Sequence, residues 1–368
     1  MKVAIVHDWL TGMRGGEKCL ECFCELFPDA DLYTLIHTRG SCSETIESMH
    51  IITSFVDKIP GKDRYYRHML PLFPVAIERF ISKDYDLILS SSHCVAKGII
   101  PGPDSLHISY MHSPMRYVWD MYEDYFGADK VNKIVGGVVP FFATYLRAWD
   151  VASSARVDHF IANSHHVARR IKKYYRRNAR VIHPPVDLDR FKIADETDDY
   201  YLMVSAFAPY KRVDLAIDAF NHLGYRLKIV GTGQEGGRLK KIAGQNIEFL
   251  GWQSDDAIID LYSKCKAFIF PGEEDFGITP LEAMASGRPV IAYAKGGALE
   301  TIKGLNDENP TGVFFEEQSR EALVSAIKEF EDNMERFSPL KIRAHASGWN
   351  RDRFKNEIMD AVSGFLKT

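Results

Sequence analysis

The chain has 368 residues, 46% hydrophobic and 26% charged, which suits two globular domains of ordinary size and excludes disordered and fibrous classes. A formal net charge of −4 provides no global basic field for nucleic acid, so an anionic partner has to be met by a local patch. Six cysteines are scattered; Cys19, Cys22 and Cys24 fall on an expected helix without a His/Cys pair at metal-finger spacing and read as free thiols of a reducing compartment. No apolar run reaches the roughly 18 residues that span a bilayer, and the chain opens directly on a strand, so a cytosolic or peripheral protein is expected.

Short apolar strands alternate with amphipathic helices throughout, the pattern of parallel sheets wrapped by helices. Strands are expected at Val3–His7, Asp31–Leu35, Leu87–Ser90, His107–Met111, His159–Ala162 and Val181–Ile182. After the first of these, the loop Asp8–Glu17 carries Gly15-Gly16, a pair that either lets backbone N–H groups approach an anion or makes a simple tight connection. His112 ends another strand, where Pro114 prevents continuation; a ligand-facing histidine and a structural one fit that position equally.

His183-Pro184-Pro185-Val186-Asp187 and the acidic stretch Asp195–Asp199 read as a connector. Beyond it the alternation restarts, with strands at Tyr201–Val204, Leu227–Val230, Ile247–Leu250, Ala267–Pro271 and Pro289–Ala292 and helices at Val213–Leu223, Glu235–Ala243, Asp255–Tyr262 and Pro280–Ser286. The expected domains are 1–185, completed by a C-terminal helix 350–368 that crosses back, and 186–349. Ligands of open α/β sheets bind at the carboxyl ends of the strands, so function is sought in the loops there.

Two such loops stand out. Lys211-Arg212 opens a helix, where cations oppose the macrodipole; a bound diphosphate would supply their reason, and a solvated surface pair is the alternative. In the stretch 267–287, AFIFPGEEDFGITPLEAMASG, a buried strand runs through an acidic turn into a helix for which Thr279-Pro280 are the expected N-cap and first residue. The N–H groups there make an anion site, and Glu274 and Glu282, eight apart, bracket it. Glu282 could accept two hydrogen bonds from a diol, or could be a capping-box partner of Thr279.

Glu274-Asp-Phe-Gly-Ile-Thr-Pro-Leu-Glu282 resembles the E-x7-E motif of retaining glycosyltransferases of family 4, which have the GT-B architecture of two Rossmann-like doubly wound domains facing each other across a cleft. The resemblance extends over the Gly15-Gly16 loop, the His112 strand end, Ile182–Asp187, Lys211, Val230–Gly233, Ile247–Gly251 and Gly287–Val290. His112–Asp120, Pro209–Asp214 and Glu273–Pro280 further resemble bacterial O-antigen and capsule mannosyltransferases. It implies that Glu282 binds the nucleotide ribose, Glu274 the transferred sugar and His112 a sugar hydroxyl. Lys211 with the N–H groups of Gly277, Ile278 and Thr279 would hold the leaving diphosphate, and Gly231 and Gly233 line the nucleotide. Many members carry an arginine five residues before the lysine. Ala206 stands there, and Arg212 is the candidate substitute.

The implied reaction is transfer of a hexose, foremost mannose from GDP-mannose, to a saccharide or lipid-linked acceptor in surface polysaccharide assembly, with neither metal nor cofactor. A UDP-sugar transferase, a non-catalytic sugar-nucleotide binder and an epimerase are the alternatives, of which the epimerase fits the E-x7-E pair least. Residues 169–180 hold seven cations and no acid, and Lys62–Pro74 mixes Arg64, Arg67 and His68 with aromatic and aliphatic side chains. That composition suits contact with an anionic membrane, here the inner face of the plasma membrane, as well as a solvated helix face.

Overall fold

The computed structural model describes every residue except Ile81, Lys83, 123–132 and Thr368, with backbone only at 63, 64, 67 and 133–137. The chain divides into two compact units, Met1–Pro184 with Asp352–Thr368 and Pro185–Arg351, so the division falls within the proline-rich connector.

The first unit is built on seven parallel strands: β1 Val3–His7, β2 Asp31–Thr34, β3 His50–Thr53, β4 Leu87–Ser92, β5 Leu106–Met111, β6 His159–Ala162 and β7 Ala179–Val181. Their order is β3-β2-β1-β4-β5-β6-β7. Val3 and Ile5 of β1 join one hydrophobic cluster and Ala4 and Val6 another, because successive side chains leave a strand on opposite faces and this sheet is covered on both. Strand β4, sequence LILSSS, is buried along its whole length and turns from apolar to hydroxyl residues at its carboxyl end.

The helix Arg351–Phe365 belongs to this unit from Asp352 onward. Phe354, Ile358, Ala361 and Val362 lie at i, i+4, i+7 and i+8, one helix face, and are 0–1% exposed. Phe354 stacks on Phe23 at 5.7 Å and meets Tyr110 edge-on at 5.6 Å. Burying the three larger side chains stabilises the unit by about 1.5–3 kcal/mol each.

The second unit carries six parallel strands: β8 Tyr201–Val204, β9 Leu227–Val230, β10 Ile247–Gly251, β11 Phe268–Phe270, β12 Val290–Tyr293 and β13 Gly312–Phe315, ordered β10-β9-β8-β11-β12-β13. Both units are therefore doubly wound α/β layers. Their strand order reverses between β1 and β4 in one and between β8 and β11 in the other, where such sheets open a crevice for ligands. The edge strands β3 and β13 were not expected from sequence.

Two local expectations are corrected. Gly15 and Gly16 lie in the first turn of the helix Gly15–Leu26 and not in the preceding loop; Arg14 is the N-cap, with its backbone N–H donating to Glu17 Oε2 at 3.1 Å. The helix expected from Pro280 spans Ile278–Ala285 and is capped by Gly277 at φ 87°, a left-handed conformation that costs glycine little. Thr279 is thus the second helical residue rather than the cap. Glu282 lies in the second turn, which removes the capping-box alternative for it.

Candidate active site

In the first unit, polar side chains collect at the switch point, at the ends of β1, β4 and β5. His7 Nδ1 lies 3.0 Å from Ser91 Oγ, and Ser91 Oγ lies 2.8 Å from His112 Nε2. Beyond His7, its Nε2 is 3.8 Å from Glu17 Oε1, an electrostatic rather than a hydrogen-bonding distance. His7 and Ser91 are 0% exposed and Glu17 is 4% exposed. Burial pushes the His112 imidazolium well below the usual histidine range, and His93 and His7 add to the effect, so His112 is neutral. Burial alone would raise the Glu17 carboxyl, but the facing His7 ring outweighs it and holds that carboxyl below its ordinary value.

Asp8 organises the neighbouring turn. It accepts the backbone N–H groups of His93, Cys94, Val95 and Ala96 at 2.6–3.0 Å and pairs with His93 Nδ1 at 3.0 Å. Its carboxyl stays well below the ordinary range although burial opposes this, because His93 and His7 favour the anion. Gly16 adjoins the cluster: a Cβ there would lie in ordinary van der Waals contact, 3.6 Å from both His112 Nε2 and His7 Cε1. Gly15 and Gly16 supply early N–H groups of their helix beside it. Of this cluster the sequence reading singled out Gly15, Gly16 and His112, noted the Ser90-Ser91-Ser92-His93 strand end as a weak source of acceptor contacts, and assigned nothing to His7.

In the second unit, Lys211 and Glu274 meet across the switch point. Lys211 ends the 3-10 turn Pro209–Lys211 after β8, Glu274 sits in the turn after β11, and Lys211 Nζ lies 2.5 Å from Glu274 Oε1 with both side chains 17% exposed. Arg212 takes a different course. It adopts φ 52° as the N-cap of the helix Val213–Leu223, and its guanidinium reaches Asp214 at 3.3 Å and Gln318 at 3.2 Å. Gln318 also donates to Pro271 O at 2.8 Å, which ties Arg212 to the start of the acidic turn. Glu282 is 7% exposed and accepts from Tyr262 Oη at 3.1 Å. Burial, then the Glu282 charge, push the Tyr262 phenol well above its usual range, so it remains a donor.

Glycines hold these loops against one another. A Cβ on Gly231, at φ 136°, would lie 1.9 Å from Ser205 O, and one on Gly233 2.6 Å from Phe207 O, so both let the loop after β9 rest on the loop after β8. Gly296 and Gly297 do the same for the acidic turn: their Cβ positions fall 2.2 Å from Glu274 O and 2.3 Å from Phe276 Cα, and Gly297 N–H donates to Glu274 O at 2.9 Å. The dipeptide Gly296-Gly297 after a strand was the available signal and was passed over. Gly277, Ile278 and Thr279 begin the eight-residue helix, and the first N–H groups of a helix have no intrahelical acceptor. Lys211, Glu274, Glu282, Gly231, Gly233, Gly277, Ile278 and Thr279 thus all lie in the loops and the helix that follow strands of one unit, while His112, Gly15 and Gly16 belong to the other.

The basic run is divided by the fold. Arg169, Lys172, Lys173, Arg176 and Arg180 are exposed, whereas Arg170 bonds Ser113 Oγ at 3.0 Å and pairs with Asp120, and Arg177 donates to the carbonyls of Val157 and Asp158 at 2.9 and 2.8 Å. In Lys62–Pro74 the side chains of Arg64 and Arg67 lie outside the described residues. A surface feature that the sequence reading missed is the helix Lys133–Ser153. Its uncharged run Ile134–Leu146 exposes Val138, Phe141, Phe142 and Tyr145 at 48, 78, 44 and 43%, an i, i+3, i+4, i+7 stripe. Among the described residues no helix is long and apolar enough to cross a membrane.

Known proteins resemble this chain in sequence and in fold. The chain is 27% identical over 328 residues to the O-antigen chain mannosyltransferase C of Escherichia coli, a match covering 80% of this chain and 82% of that one. It is 30% identical over 185 residues to an uncharacterized glycosyltransferase of Methanocaldococcus jannaschii, spanning 48% of this chain and about half, 51%, of that relative. The crystal structure of Anabaena HepE in complex with UDP and glucose superposes with a TM-score of 0.71 at 17% identity, covering 99% of each chain. Residues 14–190 match the family described as Glycosyltransferase Family 4 and residues 186–345 that described as Glycosyl transferases group 1. With both profiles met in sequence along 14–345 and the fold to match, the chain belongs to the family 4, or group 1, glycosyltransferases of GT-B fold.

Proposed function

We propose that this glycosyltransferase is a retaining, metal-independent mannosyltransferase that moves mannose from GDP-mannose to a lipid-linked saccharide of a surface polysaccharide. The observation that carries a nucleotide-sugar reading is the Lys211–Glu274 pair at the switch point, with Glu282 held by Tyr262 on the adjoining helix. The mannosyl reading is supported by the E. coli mannosyltransferase, matched across four fifths of the chain.

In this reading the diphosphate meets Lys211 and the N-terminus of the Ile278 helix, which together offset the charge that develops as the sugar C1–O bond breaks. Glu274, already the partner of Lys211, turns a carboxylate oxygen to a sugar hydroxyl as the lysine engages phosphate. Tyr262 orients Glu282, and a carboxylate accepts several hydrogen bonds, so it serves the ribose diol. The acceptor oxygen bonds to C1 on the face from which the diphosphate departs, and the departing phosphate takes the acceptor proton. Cations and a helix end neutralise the leaving group, so turnover is expected to continue in EDTA. A thermal-shift panel of GDP, UDP, ADP and their sugars tests the donor: stabilisation by GDP and GDP-mannose above the others is expected, and a preference for a uridine series would replace the base and sugar assigned here.

A lipid-linked acceptor is reached at a membrane surface, and the exposed stripe Val138–Tyr145 with the exposed cations of 169–180 suits an anionic bilayer. Each cation near such a surface contributes about 1 kcal/mol, screened within a Debye length. Flotation with phosphatidylglycerol-containing vesicles should decline steeply with salt, and Phe141→Ser with Phe142→Ser should abolish it without loss of nucleotide affinity. Equal recovery with neutral and anionic vesicles would make a soluble acceptor the better reading.

A further inference from the structure

Four buried groups in the first unit make a chain with a single sense of direction. The Glu17 carboxylate only accepts, and the buried His7 Nε2 faces it at 3.8 Å, so a lone pair at Nε2 would be repelled and an N–H is favoured. With a single proton, on Nε2, His7 presents a lone pair at Nδ1, and the atom 3.0 Å away is Ser91 Oγ. A second proton on His7 would reverse the chain, and the state of both His7 nitrogens is read in the same spectra as His112. A serine hydroxyl has one hydrogen. Given to His7, it leaves Ser91 Oγ as the acceptor for His112 Nε2 at 2.8 Å, and His112 must then carry its proton on Nε2. Asp8 and His93 also face the cluster, the His93 and His112 ring centroids being 6.4 Å apart, but Asp8 is spent on four backbone N–H groups and His93.

We propose that Glu17, His7 and Ser91 are positioning residues that fix the tautomer of His112, with Nε2–H donated to Ser91 and Nδ1 left as an acceptor for a hydroxyl of the donor sugar. The ligand assigned to Nδ1 rests on the transferase reading above; the tautomer does not. Strand β4 contains its own contrast. His107 Nδ1 lies 3.0 Å from Arg156 O, which only accepts, so His107 carries its proton on Nδ1 and its Nε2 accepts from Ser90 Oγ at 2.9 Å. Two adjacent serines thus hold two histidines in opposite tautomers.

Long-range proton–nitrogen correlation spectra of the full, ligand-free chain with labelled histidine test this directly. His112 is expected to show a protonated Nε2 and an unprotonated Nδ1, and His107 the reverse. Ser91→Ala should allow His112 to exchange between tautomers, and Glu17→Gln should weaken the preference with less disturbance of packing, which provides a second variant if the first does not fold. A protonated Nδ1 on His112 in the unmodified chain, or a tautomer unmoved by both substitutions, overturns the proposal. In the transferase assay Ser91→Ala should lower kcat/KM about tenfold, the worth of one hydrogen bond, with nucleoside diphosphate affinity unchanged. The expected tautomers in a chain that transfers no sugar would support the relay while refuting the transferase reading.

Discussion

The two clusters at the switch points are built on opposite plans. In the first unit His7, Asp8 and Ser91 are wholly buried, and short hydrogen bonds fix them to backbone or to one another. In the second unit the key contact is an ion pair between two partly exposed side chains on separate loops, both kept in place by glycines that allow close backbone approach. One site is buried and tied by hydrogen bonds around His112; the other is an ion pair between partly exposed side chains. Under the proposed reading, the first would orient a sugar hydroxyl and the second would meet the charge of the leaving group.

Lys211→Ala should break this contrast most sharply, lowering kcat by roughly two to three orders of magnitude, as loss of one charge-stabilising donor does, with a smaller change in KM. If Lys211→Ala turns over normally and Arg212→Ala is inactive, the cation belongs to Arg212 despite its contacts with Asp214 and Gln318. The first unit should respond to pH instead. Burial lowers His107 from 6.5 to about 4, so the unfolded chain binds its proton at higher pH than the folded one. Its contribution to stability is therefore present above pH 6.5 and is lost as pH falls toward 4, at most on the order of 3 kcal/mol. Urea unfolding at pH 7 and pH 5, with His107→Gln as the control that flattens the slope, measures it.

Glu282→Ala should weaken nucleoside diphosphate binding by about 1–3 kcal/mol, because it removes the acceptor of a buried diol. Unchanged affinity in calorimetry would exclude the ribose assignment. Smallest of all, Tyr262→Phe should cost about 1 kcal/mol in the same titration, since it leaves the carboxylate in place and removes only its orienting donor.

The sequence showed the interior strands of both sheets because each is a short apolar run bounded by turn residues, and Glu274, Glu282 and Lys211 because they sit at the ends of such runs. Local signals misled where a backbone constraint outranked them. Thr279-Pro280 has the composition of a helix start, yet Gly277 takes the cap, since a Cβ there would fall 2.8 Å from Phe270 Cζ and only glycine accommodates the turn. The relay through His7 and Ser91 joins residues 84 apart, and no pattern within either segment encodes it. Edge strands β3 and β13 were passed over although Ile51-Ile52 and Val313-Phe314-Phe315 are short apolar runs, and Arg170 and Arg177 read as surface charge until the fold turned them inward.

The helix Arg351–Phe365 has a temporal consequence. A ribosome delivers β1 and the helix Gly15–Leu26 well before Phe354, with the second unit between them, so the aromatic trio of Phe23, Tyr110 and Phe354 cannot close until that intervening unit has been synthesised. Release of a chain cut short before Phe354 would leave Phe23 and Tyr110 on an unfinished surface, and nascent molecules of this protein should lean on chaperones longer than a contiguous domain of equal size.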